Sequence, residues 1–355
     1  MKLIEVKNLT KQYAGHTAVD DISFTVEDGK IYGFLGPNGA GKSTTMNIIT
    51  GCLSATSGTV TVNGFDIFKK PIDAKRCIGY LPEMPPLYVD MTPREYLTFV
   101  ARAKGIKKQE LKAGIEDVIE KTDLGTYADK LIKHLSKGYK QRVGIAQAIL
   151  GNPDFIILDE PTVGLDPAQI IEIRNLIKSL GEQHTVILSS HILSEISEVC
   201  DEIIVISNGR IVACDTKDNL LERSNPSHII EVEIQSGIDA AAEAVAEIEA
   251  VAAIEIDAPE GSESGTLKIT VDGADDIRGT VSSAVVGAGA VMLSIDVKSA
   301  SLEDIFISLT ENAPEASDES NSEGENSTED APEDEDGTSE EDAGEEEKEE
   351  EADEE

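Results

Sequence analysis

The sequence contains no tryptophan, and aromatic residues make up only 4% of its 355 positions. No run approaches 18 consecutive apolar residues, the length that suggests a membrane-spanning helix. The amino-terminal residues MKLIEVKNLTKQY also lack the long apolar stretch of a secretory signal peptide. We therefore expect a cytoplasmic protein, held at a membrane only if a partner binds it there.

Cysteine is scarce, and its four positions show no paired spacing of the kind that metal sites use. Reduced thiols in the core or at the surface are the expected interpretation. The cysteines are Cys52, Cys77, Cys200 and Cys214.

Basic residues are few relative to acidic ones, and the net charge is -39. Residues 1–223 contain 29 acidic and 26 basic side chains, whereas residues 224–310 contain 16 and 3, and residues 311–355 contain 24 and 1. A salt-adapted protein would distribute this acidic charge evenly along the chain, whereas here the excess is concentrated after residue 223. Because no basic stripe is present, a nucleic-acid partner is not expected.

Short apolar runs alternate with helical patterns in residues 1–223, which is typical of an α/β domain. Ile31–Leu35, Phe155–Leu158 and Val186–Leu188 read as buried strands. Residues from about 85 to 150 interrupt the alternation with helices. The first helix follows a capping box at Thr92–Glu95, the next covers about Lys108–Lys121, and a third begins after Ser136.

A second pattern begins near residue 227, in the order β-α-β-β-α-β of a small ferredoxin-like α+β unit that extends to residue 310. Its closing helix, Ser301–Thr310, has an apolar face formed by Leu302, Ile305, Phe306 and Leu309. This unit has no catalytic constellation, and we interpret it as a docking or dimerising module. Residues 311–355 have a composition typical of disorder; a solvated tail and a tail that binds a basic partner both remain open.

A glycine-rich loop follows the strand Ile31–Leu35 and precedes a helix, the context in which the pattern G-x-x-x-x-G-K-[ST] binds phosphate. Its glycines let backbone N–H groups turn toward phosphate oxygens, and the helix directs its positive end at the same anion. Lys42 adds a positive charge, and Ser43 offers an oxygen to Mg²⁺. The loop consists of Gly36, Pro37, Asn38, Gly39, Ala40, Gly41, Lys42 and Ser43, with Thr44 next in the helix.

Two acidic residues follow the buried strand Phe155–Leu158. Asp159 can hold Mg²⁺ directly or through water, and Glu160 could orient an attacking water molecule. Together with the phosphate loop, this pair predicts a nucleotide site.

The segment Leu135–Arg142 precedes a helix and lies shortly before Asp159. It closely resembles the LSGGQ signature of ABC ATPases, with departures at Lys137 and Tyr139. Ser136 is a natural N-cap and, with the Gly138 amide, forms an anion-binding surface. The resemblance implies that this surface meets the γ-phosphate held by another subunit.

Other family landmarks occur at matching positions, and their roles are those that the resemblance implies. Asp166 matches the aspartate that crosses the dimer interface, His191 the switch histidine at the γ-phosphate, and Tyr13 the aromatic residue that stacks on adenine. Tyr13 could also be an ordinary edge-strand tyrosine. Glu83 stands where the family usually has glutamine, so a carboxylate replaces the amide that contacts Mg²⁺ or water.

The sequence is thus identified as a member of the ABC ATPases, with a RecA-like P-loop NTPase core, an antiparallel β edge and a helical subdomain. The segment after Glu83 and the closing helix resemble exporters of the antibiotic, sodium and gliding-machinery type. The resemblance implies an ATPase that uses ATP and Mg²⁺ as a homodimer, with Lys42, Glu160 and His191 catalytic. It would drive an integral membrane permease from the cytoplasmic face.

Three other classes of ABC protein fit the sequence less well. A translation-factor ABC protein has two cassettes in one chain, and only one is found here. A chromosome-maintenance ATPase would need a long heptad insertion or zinc-binding cysteines. A catalytically inactive regulatory cassette is disfavoured because Lys42, Asp159 and Glu160 are intact.

Overall fold

The computed structural model describes residues 3–223, 227–259, 262–272 and 276–298, together with Phe306. The elements up to residue 223 are β1 (Leu3–Tyr13), β2 (His16–Glu27), β3 (Ile31–Leu35), α1 (Lys42–Ile49), β4 (Ser57–Val62), β5 (Phe65–Asp66), α2 (Pro71–Arg76), β6 (Ile78–Leu81), α3 (Pro93–Ala103), α4 (Lys108–Lys121), α5 (Lys137–Ile149), β7 (Phe155–Asp159), α6 (Pro167–Gly181), β8 (Thr185–Ser190), α7 (Leu193–Val199), β9 (Glu202–Ser207), β10 (Arg210–Thr216) and α8 (Lys217–Arg223). The three predicted buried strands are confirmed as β3, β7 and β8.

The central sheet has the strand order β10-β9-β3-β8-β7-β6, with parallel pairing except between β9 and β10. Every residue of β3, β7 and β8 is buried, because apolar layers cover both faces. Ile156 and Leu158 pack on one side of the sheet, and Phe155 and Ile157 on the other. The parallel strands place the residues after Leu35, Leu158 and Ser190 at one edge of the sheet.

A second, antiparallel sheet has the order β2-β1-β4-β5 and packs into the same core as α1. It is the antiparallel edge expected of the predicted cassette.

Helices α3, α4 and α5 form the helical segment between β6 and β7. The predicted capping box is confirmed: Thr92 Oγ1 accepts a hydrogen bond from the Glu95 amide, while a Glu95 carboxylate oxygen accepts one from the Thr92 amide. Helix α4 has the predicted bounds, and Ser136 caps α5 by accepting from the Tyr139 amide at 3.4 Å.

The carboxy-terminal elements are β11 (Ser227–Ser236), α9 (Ile238–Ala246), β12 (Val251–Asp257), β13 (Gly265–Asp272), α10 (Arg278–Gly287) and β14 (Val291–Lys298). Their sheet is antiparallel with the order β12-β13-β11-β14, the arrangement of a ferredoxin-like unit. Helix α9 ends at Ala246, where the chain turns and brings Val251 into register with Val271.

The predicted closing helix Ser301–Thr310 lies outside the described residues apart from Phe306, as do residues 311–355. Phe306 packs against the core that includes α5 and β7. The boundaries proposed for the carboxy-terminal unit and the tail therefore stay predictions.

Candidate functional site

The phosphate loop occupies residues 36–41, between the buried strand β3 and helix α1. Gly41 has a φ of 103°, a conformation that glycine adopts without steric cost. A Cβ atom at Gly36 would lie 2.3 Å from the Ile206 carbonyl oxygen, so no larger residue fits there. The loop thus brings backbone against the carboxyl edge of the sheet, where its amides can face an anion.

Lys42 begins α1, and its side chain is only 6% exposed. Its ammonium group donates hydrogen bonds to the carbonyl oxygens of Gly36 at 2.8 Å and Pro37 at 3.2 Å. It also lies 3.4 Å from a carboxylate oxygen of Glu160. The positive charge is therefore held over the glycine loop.

Asp159 ends strand β7 and is nearly buried. The Ser43 hydroxyl donates to its Oδ1 at 3.2 Å, and the Ser189 hydroxyl donates to the same oxygen at 2.6 Å. Burial raises the pKa of Asp159, and these two hydrogen bonds oppose that rise.

Glu160 has a φ of 47°, which a residue other than glycine rarely adopts. Its amide donates to Ser189 Oγ at 2.9 Å, which fixes the strained backbone. The carboxylate lies between Lys42 and the His191 imidazole, whose Nδ1 is 2.9 Å from Glu160 Oε2. The Glu160 carboxylate thus contacts both the Lys42 ammonium group and a ring nitrogen of His191.

These groups surround a cavity of about 380 Å³ at the carboxyl edge of the sheet. Its lining consists of Ala18, Asn38, Gly39, Gly41, Lys42, Ser43, Thr44, Glu83, Glu160, Val163 and His191. Glu83, at the position where the family usually has glutamine, contributes to this lining. The cavity combines an anion-binding loop with a carboxylate and an imidazole, as hydrolysis of a phosphoanhydride requires.

Eight predicted site residues are not among those lining the cavity. Four of them, Gly36, Pro37, Ala40 and Asp159, belong to the phosphate loop or bind its Ser43. The other four are Tyr13, Ser136, Gly138 and Asp166. Tyr13 ends β1 with 48% of its surface exposed, and the Lys11 ammonium lies 5.1 Å from its ring centroid. Ser136 and Gly138 border a separate depression together with Gln169. Asp166 caps α6 by accepting a hydrogen bond from the Gln169 amide at 2.9 Å.

The signature segment contacts the loop that ends at Asp166. A Cβ atom at Gly164 would lie 2.2 Å from the Lys137 ammonium nitrogen, and one at Gly138 would lie 2.7 Å from Gln169 Oε1. Lys137, a departure from the family signature, therefore covers this loop. Within one chain, Ser136 and Asp166 are exposed and Gly138 is buried, and none of the three lines the cavity.

Two residues near the cavity were not predicted from the sequence. Ser189 binds both Asp159 and Glu160, and Glu195 is a buried carboxylate that accepts from Thr162 and Ser190. The available signal was the polar pair Ser189–Ser190 at the end of a buried strand, since ligands in such sheets bind at the carboxyl ends of strands.

No helix in the described part of the chain is long and apolar enough to cross a membrane. The described residues also contain no group of three or more His, Cys, Asp or Glu side chains arranged around a metal position.

Residues 19–163 match the family model described as ABC transporter. The chain is 42% identical over 224 residues to the bacitracin transport ATP-binding protein BcrA of Bacillus licheniformis, covering 62% of this chain and 72% of that protein. It is 35% identical over 316 residues to the linearmycin resistance ATP-binding protein LnrL of Bacillus subtilis (strain 168), covering 87% of this chain and 98% of that protein. The second match therefore extends into the carboxy-terminal unit.

A solved ATP-binding subunit of an ABC transporter shares the fold, with a TM-score of 0.57 at 33% identity. The alignment covers 62% of this chain and 93% of the solved chain. The cassette fold and the resemblance to ATPases of the antibiotic type are confirmed. The chain belongs to the ATP-binding proteins of ABC transporters, and it binds and hydrolyses ATP.

Proposed function

We propose that this chain is the ATPase subunit of an exporter and drives a separate membrane permease from the cytoplasmic face. The observation that carries the proposal is the meeting of Lys42, Glu160 and His191 at one cavity beside the phosphate loop. The direction of transport is supported by relatives named for bacitracin transport, linearmycin resistance and lantibiotic transport.

The cavity residues divide the work of hydrolysis. The phosphate loop and Lys42 bind the phosphates, and Tyr13, whose ring is half exposed, offers a face for the adenine ring. Glu160 accepts hydrogen bonds from the attacking water, while His191 orients Glu160 and reaches the γ-phosphate. Catalysis is then positioning and charge stabilisation of the leaving phosphate.

The donor set also fits Mg²⁺. This ion takes one or two protein oxygens and completes its shell with phosphate oxygens and water. Ser43 and Asp159 supply a hydroxyl and a carboxylate that already lie 3.2 Å apart, and Glu83 lines the same cavity. When bound there, Mg²⁺ would neutralise charge that develops on the phosphates.

Two copies of the chain complete each site. Ser136, Gly138 and Asp166 are not among the residues that line the cavity of their own chain, and Ser136 caps the 13-residue helix α5, whose amino end attracts anions. We infer that this surface of one copy covers the phosphate held by Lys42 of the other.

Ser136→Arg is expected to prevent ATP-dependent dimer formation, because a bulky cation would occupy the space of the partner's phosphate. Size-exclusion chromatography with an ATP analogue that is not hydrolysed would measure this. Ser179→Arg is the matched control, since Ser179 is exposed near the end of α6, and it should dimerise like the parent. Dimerisation of Ser136→Arg at the parental ATP-analogue concentration would contradict the two-copy site.

The permease needs a docking surface, and a groove of about 590 Å³ lies where α2, the end of α3 and the end of α5 meet. Lys104 Nζ crosses from α3 to the carbonyl oxygens of Gln147, Ala148 and Leu150, which joins the groove to the helix that carries Ser136. The groove is lined by Ile72, Lys75, Arg76, Ile78, Ala103, Lys104, Gly105, Ile106, Leu150, Gly151 and Pro153. Apolar residues and the basic side chains Lys75 and Arg76 line this groove, which suits a segment of a membrane partner.

Ile72→Asp is expected to abolish co-purification of the membrane partner without slowing basal ATP hydrolysis, because Ile72 is 67% exposed and lies in the groove. The measurement is recovery of membrane proteins bound to the tagged chain after gentle solubilisation. Val286→Asp, at a 61% exposed position outside the groove lining, is the control and should retain the partner. Equal recovery with both variants would place the docking surface elsewhere.

A further inference from the structure

Glu195 is a buried carboxylate that has no role in the hydrolysis mechanism proposed above. It lies in the first turn of α7 and is only 7% exposed. Its Oε2 accepts a hydrogen bond from Thr162 Oγ1 at 2.6 Å and another from Ser190 Oγ at 3.1 Å. One oxygen atom thus joins two segments that lie far apart in the sequence.

Those two segments carry the groups that meet at the cavity. Thr162 is two residues after Glu160, on the loop that continues to Asp166. Ser190 precedes His191, and Ser190 Oγ also accepts from the Ile192 amide at 3.0 Å, so the residues on both sides of the histidine are held. The 2.9 Å contact between Glu160 and His191 therefore depends on segments that Glu195 connects.

The arrangement is costly for a residue with only a packing role. A buried carboxylate loses hydration, and the loss is offset when cations or hydrogen-bond donors replace the water. Among the described residues, no ion pair includes Glu195. Its compensation comes from the two hydroxyl groups, one on each segment.

We propose that Glu195 is a positioning residue that sets the Glu160–His191 geometry through Thr162 and Ser190. The proposal rests on the roles proposed above for Glu160 and His191. Thr162 belongs to the loop that leads to Asp166. A movement of that loop at the dimer surface is therefore transmitted to His191 through the Glu195 carboxylate.

Steady-state ATP hydrolysis by the full chain tests this. Glu195→Ala should lower kcat by about tenfold or more, the scale of a misplaced reacting group, and leave the KM for ATP within about twofold. Thr162→Val removes one donor while keeping the side-chain shape, and it should lower kcat by about fivefold. Its melting temperature should fall modestly, because the buried Glu195 carboxylate loses a donor, and should stay well above the assay temperature. Glu195→Gln keeps an acceptor oxygen for both hydroxyls and should restore kcat to within about twofold of the parent.

The control is Glu95→Ala, which removes a carboxylate that accepts from a threonine hydroxyl at 3.1 Å in the exposed capping box of α3. It should leave kcat unchanged. Loss of kcat in Thr162→Val but not in Glu95→Ala supports the proposal. Parental kcat in Thr162→Val, or a fall in kcat that unfolding of the variant at the assay temperature accounts for, overturns it.

Coupling to the histidine gives a second measurement. In the His191→Ala background, Glu195→Ala should lower kcat by less than it does in the parent, since the part of its effect that acts through His191 is already lost. A fully additive loss would overturn the proposal. If His191→Ala alone kept the parental rate, the role proposed for His191 would be wrong. The Thr162→Val result would still test the role of Glu195. Failure of one proposal can therefore be distinguished from failure of the other.

Discussion

Lys42→Ala is expected to lower the rate of ATP hydrolysis by at least about 10²-fold, the scale of losing one group that stabilises charge in the transition state. The reason lies in what the ammonium group contacts. Its three partners are the carbonyl oxygens of Gly36 and Pro37 and the carboxylate of Glu160, all of them beside the cavity. The side chain contributes positive charge over the phosphate loop. The affinity for ATP should therefore fall together with the hydrolysis rate.

The fold should survive this change. Removing one partner of a buried ion pair is destabilising when the remaining charge has no other contact. Glu160 keeps its contact with His191 and borders an open cavity that water can enter. We therefore expect a melting temperature close to that of the parent, measured by circular dichroism.

Lys30→Ala is the matched control for the loss of an ion-paired lysine. Lys30 contacts carboxylates of Glu202 at 2.5 Å and Glu27 at 3.4 Å, and it does not line the cavity. Its substitution should leave both the hydrolysis rate and the affinity for ATP unchanged. Hydrolysis by Lys42→Ala at the parental rate would show that the phosphate site has been placed wrongly.

The parts of the site that could be predicted from the sequence are those that a contiguous pattern defines. The phosphate loop needs particular glycines within eight residues, and Asp159–Glu160 follows directly from a buried apolar strand. The capping box Thr92–Glu95 is likewise a local relation, and the structure contains it as predicted.

The interactions that could not be predicted join residues far apart in the chain. Ser189 contacts Asp159 across 30 positions, and Glu195 contacts Thr162 across 33. Nothing in the local composition of α7 distinguishes Glu195 from an exposed helix-start glutamate, because its burial arises only when α7 packs on the sheet. Likewise, Lys137 is a plain departure from a signature in the sequence, and only the fold shows that it covers Gly164.

The positive φ of Glu160 is another feature that could not be predicted from the sequence. A value of 47° is set by the turn that leaves β7, and the Ser189 hydroxyl holds it by accepting from the Glu160 amide. This backbone conformation aims the carboxylate at Lys42 and His191 rather than along the strand. A sequence pattern can name Glu160 as a candidate base, but the orientation comes from tertiary contacts.

Glu160→Gln is expected to separate ATP binding from ATP hydrolysis. Glutamine keeps the shape of the side chain and a carbonyl oxygen for His191, but it lacks the negative charge that polarises water. Hydrolysis should fall by about 10²-fold or more, the scale of losing a general base. Because the phosphate loop and Lys42 are unchanged, ATP should still bind and remain bound.

The bound, unhydrolysed ATP should then hold two copies together. Size-exclusion chromatography of Glu160→Gln with excess ATP is expected to show a stable dimer, and removal of ATP should return it to the monomer. Glu198→Gln is the control for the same chemical change, since Glu198 is a half-exposed partner of Arg174 outside the cavity lining. It should hydrolyse ATP at the parental rate and form no lasting dimer. A Glu160→Gln protein that stayed monomeric in excess ATP would contradict the two-copy site, whereas one that hydrolysed ATP at the parental rate would remove Glu160 from the chemistry.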